Sequence, residues 1–325
     1  MQAIIVAVCS FVLAVVFGKL LIPVLRALKA GQSIREIGPS WHNTKAGTPT
    51  MGGIIFIAAA SLCTIAGGWR SMLAGNFTHL YVLAFALIFG VIGFLDDFMK
   101  VKFKRNLGLT ALQKLALQLA AAGAYLALLR WNGDLTCDLY IPFWNVAFEI
   151  NWIVYLVFAM FVIVGCVNAV NLTDGIDGLA SGVTLPVMVF FAVTAYMWGK
   201  TTLALLPAAM AGGLAGFLVY NFHPAKVFMG DTGSLFLGGM VCGLAFALDM
   251  PLVLILVGII YIMETVSVIM QVTYFKLTHG KRIFRMTPIH HHFEMGGWSE
   301  EKIFAVFVGI TVLMCILAFI GVSGR

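Results

Sequence analysis

The sequence predicts an all-α polytopic membrane protein with ten transmembrane helices and both termini on the extracytoplasmic side. Three observations carry that prediction. Of 325 residues, 61% are hydrophobic and 10% charged, whereas soluble domains carry about 25% charged residues and about 45–50% apolar ones. Ten apolar segments are long enough to span a bilayer core, which takes about 20 residues. Basic residues also gather in alternate connections, the pattern that sets membrane orientation. The net charge of +6 therefore reads as topology, and no nucleic-acid partner is expected.

The segments fall at 3–28, 50–68, 79–97, 111–130, 151–170, 179–198, 203–221, 233–249, 251–275 and 303–322. The first lacks the basic start and the cleavage site of a signal peptide. The third closes on the acidic pair Asp96-Asp97, and the fifth runs into Asn171-Leu172-Thr173-Asp174-Gly175-Ile176-Asp177-Gly178. Between the fourth and fifth, residues 131–150 read as a small interfacial segment holding Trp131, Trp144 and Phe148. Connections 199–202 and 249–251 are very short. The eighth segment follows Phe228-Met229-Gly230-Asp231-Thr232-Gly233-Ser234, where Asp231 or Thr232 could cap the helix. The ninth, about 25 residues long, holds Glu264 in its interior; a carboxylate at that depth is costly. The expectation is a bend or break near Glu264 that satisfies the group within the helix. None of the segments shows the period of two that barrel strands require. The whole of 1–325 reads as one domain, and no internal repeat points to an inverted-repeat transporter.

The connections after segments 1, 3, 5, 7 and 9 contain Lys29, Arg35, Lys45, Lys100, Lys102, Lys104, Arg105, Lys114, Lys226, Lys276, Lys281, Arg282, Arg285 and Lys302. The other side has only Arg70, Arg130, Lys200 and Arg325. This bias assigns the first set to the cytoplasm. Five of the six cysteines lie in apolar runs and Cys137 alone in a polar stretch, so a disulfide framework is not expected.

The scarce acids carry the chemistry. Asp96, Asp97, Asp174, Asp177 and Asp231 all sit where a helix meets the cytoplasmic side. Adjacent helical positions diverge by about 100°, so Asp96 and Asp97 share a site only if the helix frays; one is expected to act and the other to position it. Asp174 and Asp177, three apart, can lie on one face, each followed by a glycine that lets backbone approach a ligand. An ordinary Asp-Gly turn explains one such dipeptide, but two in four residues favour a ligand site. Clustered carboxylates repel unless a cation sits among them, and the hard divalent ion that shares phosphate oxygens with a substrate is Mg2+. Lys45, Lys100 and Lys114 would meet phosphates as point charges, or serve only as positive-inside residues. Together these groups indicate phosphoryl transfer. In Pro288-Ile289-His290-His291-His292-Phe293-Glu294, alternate histidines share a side if the stretch is extended. Phosphate binding or acid–base assistance fits better than zinc ligation, which needs three or four convergent ligands.

On these motifs, with His42-Asn43-Thr44-Lys45-Ala46-Gly47-Thr48-Pro49-Thr50-Met51-Gly52-Gly53 and Asn221 added, the chain resembles the phospho-N-acetylmuramoyl-pentapeptide transferase family along essentially its whole length. The resemblance implies an Mg2+-dependent phosphotransferase of the bacterial cytoplasmic membrane. It would move phospho-MurNAc-pentapeptide from UDP-MurNAc-pentapeptide to undecaprenyl phosphate in a cytoplasmic-face cleft, releasing UMP, as a homodimer. It assigns Asp231 to the metal and Asp96 to activation of the lipid phosphate with Asp97 alongside; His290 joins them as catalytic. Phe228 would stack on uracil, with Asn171, Leu172, Asp174, Gly175, Asp177 and Asn221 lining the nucleotide pocket. Lys45, Thr50, His291 and His292 would also line the substrate site, and Lys100 and Lys114 would bind phosphate. Sister transferases using UDP-GlcNAc share the acidic motifs, but the Pro-x-His-His-His-Phe-Glu loop favours the muramoyl branch. A cation-coupled transporter, suggested by Glu264 and ten helices, would place its site near the bilayer midplane, not at one face.

Overall fold

The computed structural model describes residues 1–28, 47–103 and 108–325. Nine helices in this set are long and apolar enough to cross a membrane: α1 (Gln2–Ala27), α2 (Gly53–Leu73), α3 (Thr78–Phe103), α4 (Ala111–Trp131), α5 (Trp152–Thr173), α6 (Leu179–Met197), α7 (Thr201–Asn221), α8 (Gly230–Ala247) and α12 (Glu300–Val322). A tenth span is broken: Pro251–Val257, ending in the single turn α9 (Leu254–Val257), meets α10 (Ile259–Leu277) at 81°. The polytopic helical architecture predicted from composition is therefore present.

Two expectations gain detail and two need correction. The expected break in the ninth segment is present, at Gly258, six residues before Glu264, and α10 then runs unbroken past that carboxylate. Residues 131–150, read as a small interfacial segment, contain an antiparallel hairpin, β1 (Asp138–Ile141) against β2 (Val146–Glu149). Helix α3 does not fray at the acidic pair; it continues six residues to Phe103. The histidine stretch is not extended, but a short helix, α11 (Ile289–Glu294).

Helix α8 is the hub. Of its most apolar stretch 89% is buried inside the protein, and its face of small residues lets α3 and α5 approach backbone to backbone. Some polar groups facing the interior pair across helices, as an apolar medium favours: the Tyr125 hydroxyl donates to the Gly243 carbonyl at 2.7 Å, and the hydroxyls of Thr184 and Tyr261 pair at 2.8 Å.

The bundle has two chemically different ends. At one, Ser71 meets Thr202 (2.9 Å), Thr136 donates to Asp249 (2.7 Å) and Arg325 donates to the Asp249 carbonyl (2.6 Å). The opposite end gathers the starts of α2, α4, α8 and α12 with the ends of α3, α5, α7 and α10. That end holds the site.

Candidate functional site

Three carboxylates converge where α3 passes the start of α8. Asp96, Asp97 and Asp231 each offer an oxygen, and those oxygens lie within 4.8 Å of one another. Both members of the adjacent pair reach the cluster without fraying because α8 begins between them. Asp97 accepts the Thr232 backbone N–H at 2.9 Å and the Thr232 hydroxyl at 2.7 Å. It therefore anchors the first turn of α8 while Asp96 faces the cations. Gly230 opens α8 at φ +70°, a left-handed conformation that a side chain strains; a Cβ there would also press on Asp97 and Thr50.

Two lysines close the other side. Lys100, one turn beyond Asp96, places its Nζ 2.6 Å from Asp96 Oδ2 and 3.0 Å from Asp231 Oδ2. Lys114 in the first turn of α4 lies 3.1 Å from Asp96 Oδ1 and 2.8 Å from Asp231 Oδ2. A capping box holds that turn, with Thr110 accepting from the Gln113 N–H and Gln113 accepting from the Thr110 N–H. Asn171, in the last turn of α5, donates to Asp231 Oδ1 at 2.9 Å and contacts Ser234 at 2.7 Å.

The donor set suits a hard divalent cation. Among the described residues the converging ligands are three carboxylates, and buried Asp96 Oδ2 accepts no aligned hydrogen bond despite the ammonium beside it. Asp174, the residue that ends α5, tells the same story. Burial first, and then the charges of Asp231, Asp97 and Asp177, push its carboxyl up to about 8.

The segment 49–53 leading into α2 pairs its backbone with the segment before α8. Phe228 donates to the Pro49 carbonyl (2.8 Å), and Gly52 and Gly53 donate to the carbonyls of Phe228 and Met229 (2.8 and 3.0 Å). This holds Thr50 beside the cluster and fixes the backbone of Phe228, which is half-buried. Lys45 lies outside the described residues.

Other residues sit in the same region with different partners. Asn221 is spent internally: it donates to the Val227 carbonyl (3.0 Å) and accepts from Ser181 (3.0 Å). It shapes the turn that carries Phe228. Asp177 turns away from the three carboxylates, accepting from Ala225 N–H (2.9 Å) and pairing with His223 Nδ1 (2.9 Å), while its own N–H donates to Glu300 (3.0 Å). Leu172 is half-buried in the last turn of α5. In α11 the three histidines fan out: His290 Nδ1 lies 3.0 Å from Glu264, His291 Nδ1 2.8 Å from Glu294, and His292 Nδ1 accepts the Arg285 N–H at 3.1 Å. His290 reaches back to Gly175, where an added Cβ would strike its Nε2.

Sequence reasoning missed the residues that hold others in place: Thr232, Ser234, His223, Glu300 and Gln113. Only Thr232 carried a signal, as a possible cap beside Asp231.

Comparison with known proteins places the chain among relatives. Residues 79–249 match the family model described as glycosyl transferase family 4, and residues 45–57 match phospho-N-acetylmuramoyl-pentapeptide-transferase signature 1. The chain is 47% identical over 316 residues to the phospho-N-acetylmuramoyl-pentapeptide-transferase of Clostridium beijerinckii, covering 96% of this chain and 94% of the relative. It is 47% identical over 313 residues to that of Clostridium acetobutylicum and 48% over 317 residues to that of Clostridium perfringens strain 13, each alignment covering 96% of both chains.

Proposed function

The chain belongs to the phospho-N-acetylmuramoyl-pentapeptide-transferase family, and from that premise we propose that it transfers phospho-MurNAc-pentapeptide from UDP-MurNAc-pentapeptide to undecaprenyl phosphate, giving lipid I and UMP. The observation that carries the reading is the convergence of Asp96, Asp97 and Asp231 with Lys100 and Lys114 at one end of a membrane bundle. A lipid headgroup and a soluble nucleotide can meet only at such a boundary. The positive-inside bias makes that end cytoplasmic and both termini extracytoplasmic. The protein then works as a single domain in a bacterial cytoplasmic membrane, as a homodimer.

Reaction by direct attack needs the fewest steps. An oxygen of the lipid phosphate attacks the phosphorus bonded to the sugar; the bond from that phosphorus to the UMP oxygen breaks, and UMP leaves. Asp231, with Asp96 and Asp97 within reach, would hold Mg2+, which when bound neutralises pyrophosphate charge and stabilises the leaving phosphate. Asp96, gripped by two lysines, keeps the lipid phosphate deprotonated and aligned. Lys100 and Lys114 exchange their carboxylate partners for phosphate oxygens as substrate arrives. Asn171 fixes the rotamer of Asp231, and Thr232 that of Asp97, so the geometry precedes binding. Phe228 offers its ring to uracil, while Asp174 and Gly175 flank it.

The test is UMP release by purified protein from two nucleotides in the presence of undecaprenyl phosphate and Mg2+. UDP-MurNAc-pentapeptide should support release and UDP-GlcNAc should not. The reverse preference assigns the chain to the sister transferases and defeats the proposal.

A further inference from the structure

Glu264 has no part in the reaction as described, yet it sits at 0% exposure inside α10, a helix of the membrane bundle. A buried carboxylate is costly unless something compensates it, and such groups within a membrane bundle default to a functional role. Its neighbour is His290, also at 0% exposure. Glu264 Oε2 stands 3.0 Å from His290 Nδ1 and accepts the His290 backbone N–H at 3.4 Å. The ring contact is close but not aligned as a hydrogen bond; catalytic hydrogen bonds commonly tighten only when substrate is present.

The opposite edge of the ring is the informative one. His290 Nε2 is buried without a partner and abuts Gly175, so closely that no side chain fits there. Gly175 follows Asp174, whose carboxyl feels the charges of Asp231 and Asp97. One ring nitrogen therefore faces a buried carboxylate and the other faces the turn beside the three-aspartate cluster. The same face of α10 secures the loop that delivers the histidine. Gln271, seven residues and about two turns further on, accepts from the N–H groups of Ile283 and Phe284 at 3.0 Å each and donates to the Phe284 carbonyl at 3.1 Å.

From this geometry we propose that Glu264 is the positioning residue for His290: it holds the proton on Nδ1, fixes the ring plane, and presents a bare Nε2 to the Asp174-Gly175 turn. A carboxylate behind an imidazole sets which nitrogen carries the proton, as in metal sites and hydrolase triads. Glu264 touches no substrate. It acts through the ring, and it gives the bend at Gly258 a purpose, since the bend aims α10 and Glu264 at the histidine loop. The kinetic part of the test rests on the transferase reading; the spectroscopic part does not.

The experiment combines 15N spectra of histidine-labelled protein with UMP-release kinetics on wild type, Glu264→Gln, His290→Asn and the double variant. His290→Asn identifies the His290 signals. In wild type they should show protonated Nδ1 and bare Nε2, and in Glu264→Gln the two nitrogens should lose that distinction. Glu264→Gln should lower kcat by at least about 10²-fold while nucleotide KM stays within about threefold, and it should cause no further loss once His290 is asparagine. Wild-type spectra with the proton on Nε2 overturn the proposal, even if Glu264→Gln does not fold. So do unchanged signals in a folded Glu264→Gln, turnover within twofold of wild type, or losses that multiply in the double variant. If wild type releases no UMP, the transferase reading fails while the spectra still decide the Glu264–His290 pairing.

Discussion

Asp97 and Phe228 illustrate two ways a side chain serves the site. Asp97 gives one oxygen to Thr232 twice over, so its carboxylate is locked before any ligand arrives. Thr232→Val keeps the shape and removes the hydroxyl donor. It should lower turnover about tenfold, the cost of roughly one hydrogen bond to a charged group, while leaving nucleotide affinity unchanged; steady-state kinetics and nucleotide titration separate the two. Phe228 is held by its backbone, and its ring is only partly buried. Phe228→Ala should weaken UMP binding by ~1–3 kcal/mol, as base–aromatic stacking does elsewhere; calorimetry showing an unchanged dissociation constant would remove the ring from the nucleotide site. The sequence showed both Asp97 and Phe228 as residues with chemistry. It could not show Thr232 as the partner, because that contact joins residues 135 positions apart.

Helices were legible wherever apolar runs marked them, and illegible where polar residues carry them past the bilayer. Helix α3 extends through Asp96, Asp97, Lys100 and Lys102 to Phe103, since its polar last turns are paid for by ion pairs with α8 and α4 and not by hydrophobicity. The hairpin β1–β2 was missed for a related reason: four-residue strands in an aromatic, turn-rich stretch give too little alternation to read. The bend in the ninth span was expected, but the cue taken was the carboxylate, whereas the break follows the Pro251 turn and Gly258. Helix α4 gives a clean test at this level. Its capping box places Lys114 against Asp96 and Asp231, and losing a Thr cap costs about 1 kcal/mol of helix stability. Thr110→Ala should therefore lower the thermal midpoint slightly and reduce turnover several-fold, whereas Lys114→Met should leave the midpoint nearly unchanged and reduce turnover further.

The two ends of the bundle divide the labour of the molecule. Hydrogen bonds among Thr136, Asp249 and Arg325 tie one end together, and the carboxylates and lysines occupy the other. The expected orientation follows from charge alone and has a direct check. In a background without native cysteines, Trp144→Cys in the hairpin should react with an impermeant maleimide on intact cells. Lys281→Cys should react only after the membrane is opened. The reverse pattern would invert the topology and move the acidic end out of reach of a cytoplasmic nucleotide. Composition made the membrane fold plain and the scarce acids marked the working end. The pairing of Asp96 with Asp231 across α3 and α8, and of Glu264 with His290, needed the packed bundle. The account as a whole stands on metal-assisted phosphoryl transfer at Asp96, Asp97 and Asp231. The most direct measurement is UMP release, with the lipid-linked product counted alongside, for wild type and Asp231→Asn across an Mg2+ titration. The account predicts equal amounts of UMP and lipid product from wild type only when Mg2+ is present, and a fall of two or more orders of magnitude in Asp231→Asn at saturating nucleotide. Near-normal turnover of Asp231→Asn at ordinary Mg2+, or wild-type release indifferent to the ion, would contradict it.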